Sequence, residues 1–251
     1  MRANRLREIW QSGKPASNCW LTLGHPFTAE LVAHQGWDSV TVDMQHGVGD
    51  IGTMVAMLMA VSASATVPLV RVPWNEPGPV MRALDAGAYG VICPNIETSE
   101  ECERFVGACR YAPKGYRSVG PLRAPLYAGA DYLKHANATV LAIVQVETRK
   151  GLENVDAIAA VEGLDMLYVG PSDLGLSLGR QPRGDQTDPV VVEAIDAILR
   201  SARRAGLKAG IYCSSADYAE AMMKKGFDLV TVTSDAAMIG SGTAAARRFA
   251  H

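Results

Sequence analysis

The chain has 251 residues, 48% of them hydrophobic and 20% charged, with a formal net charge of −2. That length holds one barrel-sized domain or two small ones, and the near-neutral balance excludes a nucleic-acid surface built on charge. Five cysteines without a CxxC pair exclude a zinc ribbon and a disulfide framework, and read as reduced thiols of a cytoplasmic protein.

The N-terminal residues carry no apolar h-region, so no signal peptide is expected. Arg2–Ser12 reads as an extra helix ahead of the first strand. Eight apolar runs then read as strands: Asn18–Leu23, Ser39–Met44, Pro68–Val72, Gly90–Pro94, Val140–Glu147, Met166–Val169, Ala209–Cys213 and Leu229–Thr233. Their apolar residues run nearly uninterrupted, as in strands covered on both faces. The longest apolar stretch, Met54 to Val61, is too short to span a bilayer.

Helical patterns lie between the strands. In Val190–Ala205, the residues Val191, Ala194, Ile195, Ile198, Leu199 and Ala202 recur at helical spacing. Gly36, Gly87, Gly163, Gly206 and Gly226 each stop a helix shortly before a strand. Alternating βα units imply a parallel sheet. Eight of them imply the α/β class and a single (β/α)8 TIM barrel over residues 1–251, its base capped by the N-terminal helix. Tyr111–Ala138 and Asp173–Asp188 are longer than simple connections, and both are expected on the active-site side of the barrel.

The residues suited to chemistry follow the strands. His46 comes after the second strand, and its ordinary pKa suits proton transfer near neutrality. Arg71 ends the third strand, where a guanidinium must meet an anion: either a substrate oxygen, or Glu147 or Asp43 in an ion pair. Gln145 and Glu147 share one face of the fifth strand. A buried carboxylate there needs a cation, an arginine or a hydrogen-bond network. Asp173 follows the sixth strand, either as a ligand or as the N-cap of a short helix at Leu174–Ser177. Two carboxylates at the C-terminal ends of neighbouring strands form a site for a hard cation such as Mg²⁺ or Mn²⁺. No lysine lies in the C-terminal half of a strand, so an imine mechanism is disfavoured and metal stabilisation of an enolate favoured.

The segments Val42–Gly47, Val70–Pro73, Val144–Thr148 and Gly170–Leu174, with Arg110–Gly120, together resemble the HpcH/HpaI class II aldolase family along essentially the whole chain. The resemblance implies a metal-dependent aldolase that cleaves 4-hydroxy-2-oxo acids reversibly to pyruvate or hydroxypyruvate and an aldehyde. By the same resemblance Glu147 and Asp173 bind Mg²⁺, Mn²⁺ or Co²⁺. Gln145 orients the substrate, and Arg71 contacts the ketone oxygen. The backbone of Gly170, Pro171, Ser172 and Asp173 holds the carboxylate. His46 acts as general base, paired with Asp85. The family assembles as a hexamer of swapped dimers, and the apolar segment Ala236–Phe249 is compatible with an exchanged last helix. The Tyr111–Gly120 stretch is expected to approach a neighbour's site.

Two other readings use the same residues. One is an acyl-CoA lyase of the malyl or citramalyl type, or an oxaloacetate decarboxylase. The other is a barrel that binds a 2-oxo acid without turning it over. Selection of the aldehyde is expected from residues near Tyr212, Cys213, Ser214 and Ser234.

Overall fold

The computed structural model describes residues 1–247. Its strands are β1 (Ala16–Leu21), β2 (Ser39–Asp43), β3 (Val67–Arg71), β4 (Gly90–Cys93), β5 (Leu141–Val146), β6 (Met166–Val169), β7 (Lys208–Tyr212) and β8 (Leu229–Ser234). They pair in parallel in chain order, and β8 closes on β1. The eight-unit reading is therefore a closed (β/α)8 barrel.

The helices are α1 (Arg5–Gln11), α2 (Pro26–Ala33), α3 (Ile51–Val61), α4 (Pro77–Asp85), α5 (Ser99–Cys109), α6 (Ala124–Ala128), α7 (Tyr132–Thr139), α8 (Arg149–Glu153), α9 (Val155–Ala159), α10 (Pro171–Ser177), α11 (Pro189–Arg204), α12 (Ala216–Lys225) and α13 (Asp235–Ala246). All five glycine stops adopt positive φ, and Gly226 closes α12 in the left-handed region at φ 114°. Arg248 and Phe249, the end of the expected apolar C-terminal segment, lie outside the described residues.

Alternation along each strand sorts the core into two regions. Val40, Val42, Val70, Val91, Val144 and Leu167 face the helices. Leu69, Ile92, Ile143, Met166, Tyr168 and Leu229 fill the barrel. At the centre Asn18 accepts hydrogen bonds from Thr41 and Thr231 and donates to Ser39. These polar groups are fully buried and satisfied by one another.

Three expectations need correction. The first strand starts two residues early, because Ala16 and Ser17 already pair with Leu229 and Val230, and ends two residues early, because the Asp235 carboxylate takes the backbone N–H groups of Thr22 and Leu23. The extra helix is shorter than Arg2–Ser12. Asn4 caps it by accepting from the Leu6 N–H, while the Arg2 N–H bonds the Ala128 carbonyl. Tyr111–Ala138 is not on the active-site side. It follows α5 and leads into β5, so it runs across the base of the barrel, where Tyr127 packs edge-on against Tyr89.

The base is closed by charge as well as by packing. Arg7 and Arg110 both bond the Asp165 carboxylate, at 2.7 and 2.6 Å. Trp10 donates to the Asp228 carbonyl. With the base shut, the opposite end, where the strands finish, is the one left open for binding.

Candidate active site

Strand register sets the site. Asp43 and Arg71 are direct partners across β2 and β3 and share the inward phase of Thr41 and Leu69. Their side chains meet in a forked ion pair: Arg71 Nε donates to Asp43 Oδ1 at 2.9 Å, and Nη2 donates to Oδ2 at 2.6 Å. Asp43 Oδ1 also accepts the backbone N–H groups of Gln45 and His46. One carboxylate thus fixes both the arginine and the start of the loop that carries His46. Of the two sequence readings for Arg71, the ion pair with Asp43 is present. Arg71 nevertheless still lines the cavity.

That cavity measures about 260 Å³ and lies at the C-terminal ends of the strands. Its wall includes His46, Arg71, Gln145 and the run Gly170 to Asp173. The wall also includes Asp43, Tyr212 and Ser234, so the structure brings together ten of the residues named from sequence, and it adds Trp20 and Thr22. The Arg71 guanidinium lies 4.1 Å from the centre of the Trp20 ring. That ring in turn stacks on Tyr168 and meets Tyr212 edge-on. Trp20 was legible only as an apolar strand residue, although its two-residue spacing from Asn18 marks it as inward-facing.

Glu147 stands just behind this wall and is 2% exposed. Its Oε1 accepts the Asn95 N–H at 2.9 Å, and its Oε2 accepts the Gln145 side-chain amide. Burial pushes its carboxyl up to about 7, and the like charge of Asp173 adds to the rise. Gly170 makes room for it: a Cβ there would sit 2.4 Å from Glu147 Oε2 and 2.7 Å from Gln145 Nε2. Asp173 falls within the first turn of α10, and Gly170 is the N-cap. The reading of Asp173 as a helix cap is thus set aside.

Asp85 does not join the site. It ends α4, immediately before β4, and so lies at the base of the barrel, where Arg117 donates to it at 2.7 Å. His46 is at the other end, so the expected pairing is not made within one chain. Cys213 packs in the layer between barrel and helices rather than in the cavity. Lys208 pairs with Asp228 and Lys150 with Glu97, both away from the cavity wall.

The donor set fits a hard divalent cation. Glu147 feels the charge of Asp173, and among the described residues neither forms a salt bridge, since Arg71 is taken by Asp43. The Gln145 side-chain oxygen beside them is buried without a hydrogen-bond donor. Among the described residues no group of three or more His, Cys, Asp and Glu converges on one point. A cation here would therefore complete its shell with neutral oxygens.

Comparison with known proteins gives a consistent result. A sequence model of the HpcH/HpaI aldolase/citrate lyase family matches residues 16–240. The chain is 40% identical over 245 residues to a hydroxypyruvate/pyruvate aldolase of Rhizorhabdus wittichii, covering 98% of this chain and 96% of that protein. It is 39% identical over 242 residues to a 5-keto-4-deoxy-D-glucarate aldolase of Shigella boydii, covering 96% and 93%. A solved structure of an HpcH/HpaI aldolase/citrate lyase family protein from Burkholderia cenocepacia superposes with a TM-score of 0.90 at 36% identity, covering 97% of this chain and 98% of that one.

Proposed function

Because the chain belongs to the HpcH/HpaI aldolase/citrate lyase family and is an enzyme, a carbon–carbon lyase, we propose that it is a metal-dependent 2-oxo acid aldolase. It would cleave a 4-hydroxy-2-oxo acid reversibly into pyruvate or hydroxypyruvate and an aldehyde. The relative named for hydroxypyruvate and pyruvate supports that donor class. The observation that carries the reading is the buried Glu147, raised in pKa by burial and by Asp173, which lines the same cavity as Arg71.

Glu147 and Asp173 would hold Mg²⁺, Mn²⁺ or Co²⁺, and the ion would supply positive charge where the enolate oxygen develops. Asp43 occupies the Nε edge of Arg71 and leaves Nη1 free for the same oxygen. Gln145 would orient the substrate. The Gly170, Pro171, Ser172 and Asp173 segment would hold its carboxylate. His46, exposed at the rim, would take the proton from the hydroxyl whose carbon becomes the aldehyde.

The enzyme would act as an oligomer. Asp235 is the only buried residue of α13, so most of that helix is free to pack on another copy. This supports the hexamer of swapped dimers that the family resemblance implies. It also supports an intersubunit pairing of His46 with Asp85, since one chain holds them at opposite ends. Five free buried thiols support a cytoplasmic location. Among the described residues no helix is long and apolar enough to cross a membrane.

The test is to assay Glu147→Gln and Asp173→Asn separately with each metal on a 4-hydroxy-2-oxo acid. Both should lose metal-dependent cleavage by at least about a hundredfold, the scale of a lost charge stabiliser. Full activity in both variants would reject the proposal.

A further inference from the structure

Among the described residues Asn95 is the only one besides glycine with a positive φ, at 52°. That angle lies in the left-handed region, where a side chain is costly and asparagine is one of the few residues tolerated. Such backbone outliers collect at functional sites, and the hydrogen bonds around Asn95 give this one a purpose. β4 ends at Cys93, and Pro94 offers no N–H. The next two N–H groups both reach towards β5. Asn95 donates to Glu147 Oε1 at 2.9 Å, and Ile96 donates to the Gln145 carbonyl at 3.3 Å. In an extended strand, neighbouring N–H groups point to opposite sides. One left-handed residue removes that alternation and turns both donors the same way, as in the backbone nests that hold anions.

We infer that Asn95 is a positioning residue whose left-handed backbone aims its N–H at Glu147 and so fixes the carboxylate that would bind the divalent cation. This rests on the reading of Glu147 as a metal ligand. The carboxylate is held at both oxygens, Oε1 by Asn95 and Oε2 by the Gln145 side-chain amide. A hydrogen bond to an ionised carboxylate is stronger than a neutral one, and groups that orient a ligating carboxylate matter to affinity nearly as much as the ligand does. The role belongs to the backbone of Asn95. What its position requires is tolerance of positive φ, and the amide side chain is dispensable. Glycine meets that requirement, and a β-branched residue of similar size does not.

Asn95→Gly and Asn95→Val both remove the amide side chain, and only the second resists positive φ. Calorimetric titration with Mn²⁺ should give wild-type affinity in Asn95→Gly and a loss of about tenfold or more in Asn95→Val. If circular dichroism shows that Asn95→Val does not fold, Asn95→Ala takes its place, since its Cβ meets the same backbone penalty, and the same loss is expected. The second readout uses the metal-free protein. The backbone ¹⁵N–¹H signal of Asn95 should lie downfield and move upfield in Glu147→Ala, which removes the acceptor. Equal losses in Asn95→Gly and Asn95→Val would place the role in the side chain and overturn the inference. So would wild-type affinity in Asn95→Val, or an Asn95 amide unmoved by Glu147→Ala. If the wild-type protein binds no Mn²⁺, the metal reading fails, and the amide signal still decides whether Asn95 holds Glu147.

Discussion

The Asp43 carboxylate grips Arg71 by two hydrogen bonds, at 2.9 and 2.6 Å, and takes the His46 backbone N–H as well. A single acid therefore sets the position of an arginine that lines the cavity and of the loop that bears the proposed base. Asp43→Asn keeps the shape and loses the charge. We expect kcat to fall on the order of a hundredfold, as when an oxyanion-stabilising donor is misplaced, with little change in KM. Steady-state kinetics check this, and an unchanged kcat would show that Arg71 needs no such anchor.

Gly170 leaves the space that Glu147 and Gln145 occupy, so a side chain there must displace them. A side chain there collides with Glu147 Oε2 at 2.4 Å and with Gln145 Nε2 at 2.7 Å. Gly170→Ala should weaken Mn²⁺ binding by about tenfold or more, the usual effect of disturbing the groups that hold ligands in place. Calorimetric titration with Mn²⁺ measures it. Wild-type affinity in the variant would mean that Glu147 is not a ligand.

Much of this site was legible in the chain because polar residues at strand ends stand out. Arg71, Gln145 and Glu147 interrupt apolar runs at the position where a parallel strand meets the cavity, and His46 and Asp173 follow within a few residues. Trp20 gave no such signal, since an aromatic residue in a strand looks like core until its neighbours are known. Asp43 was visible, but its partner depended on the β2–β3 register, which one chain's pattern does not specify. Asp85 and Tyr111–Ala138 fell on the wrong end for one reason. Asp85 is the last residue of α4 and Tyr111–Ala138 follows α5, and by then the chain has returned to the base of the barrel.

The raised pKa of Glu147 has a consequence for the metal-free protein. Its carboxyl titrates near 7 when folded, against a usual 4.5, so between those values the folded state binds more protons than the unfolded chain. This contribution to stability is full below about pH 4.5 and is lost as pH rises through about 7, a change on the order of 3 kcal/mol. Glu147→Gln should remove it. Thermal unfolding of both proteins in EDTA from pH 5 to 8 should show the variant gaining relative to wild type as pH rises. Parallel curves would contradict the assignment.

At the opposite end, Asp165 accepts hydrogen bonds from Arg7, Arg110 and the Ala142 N–H. Arg110 is 4% exposed, so removing its partner leaves a buried charge. Asp165→Ala should cost about 3 kcal/mol of stability and leave kcat and KM unchanged. Urea unfolding beside steady-state kinetics separates the two effects, and a large kinetic defect without destabilisation would contradict a purely structural role.

A cavity that stabilises an enolate with the help of a divalent cation must also exchange the protons next to the ketone. The most direct measurement is ¹H NMR of pyruvate and of hydroxypyruvate in D₂O with the protein, first in EDTA and then with Mg²⁺, Mn²⁺ or Co²⁺ restored and removed again before acquisition. The C3 proton signal of at least one donor should disappear only after incubation with metal, and Glu147→Gln should abolish the exchange. Retention of the C3 protons of both donors with every metal would contradict it.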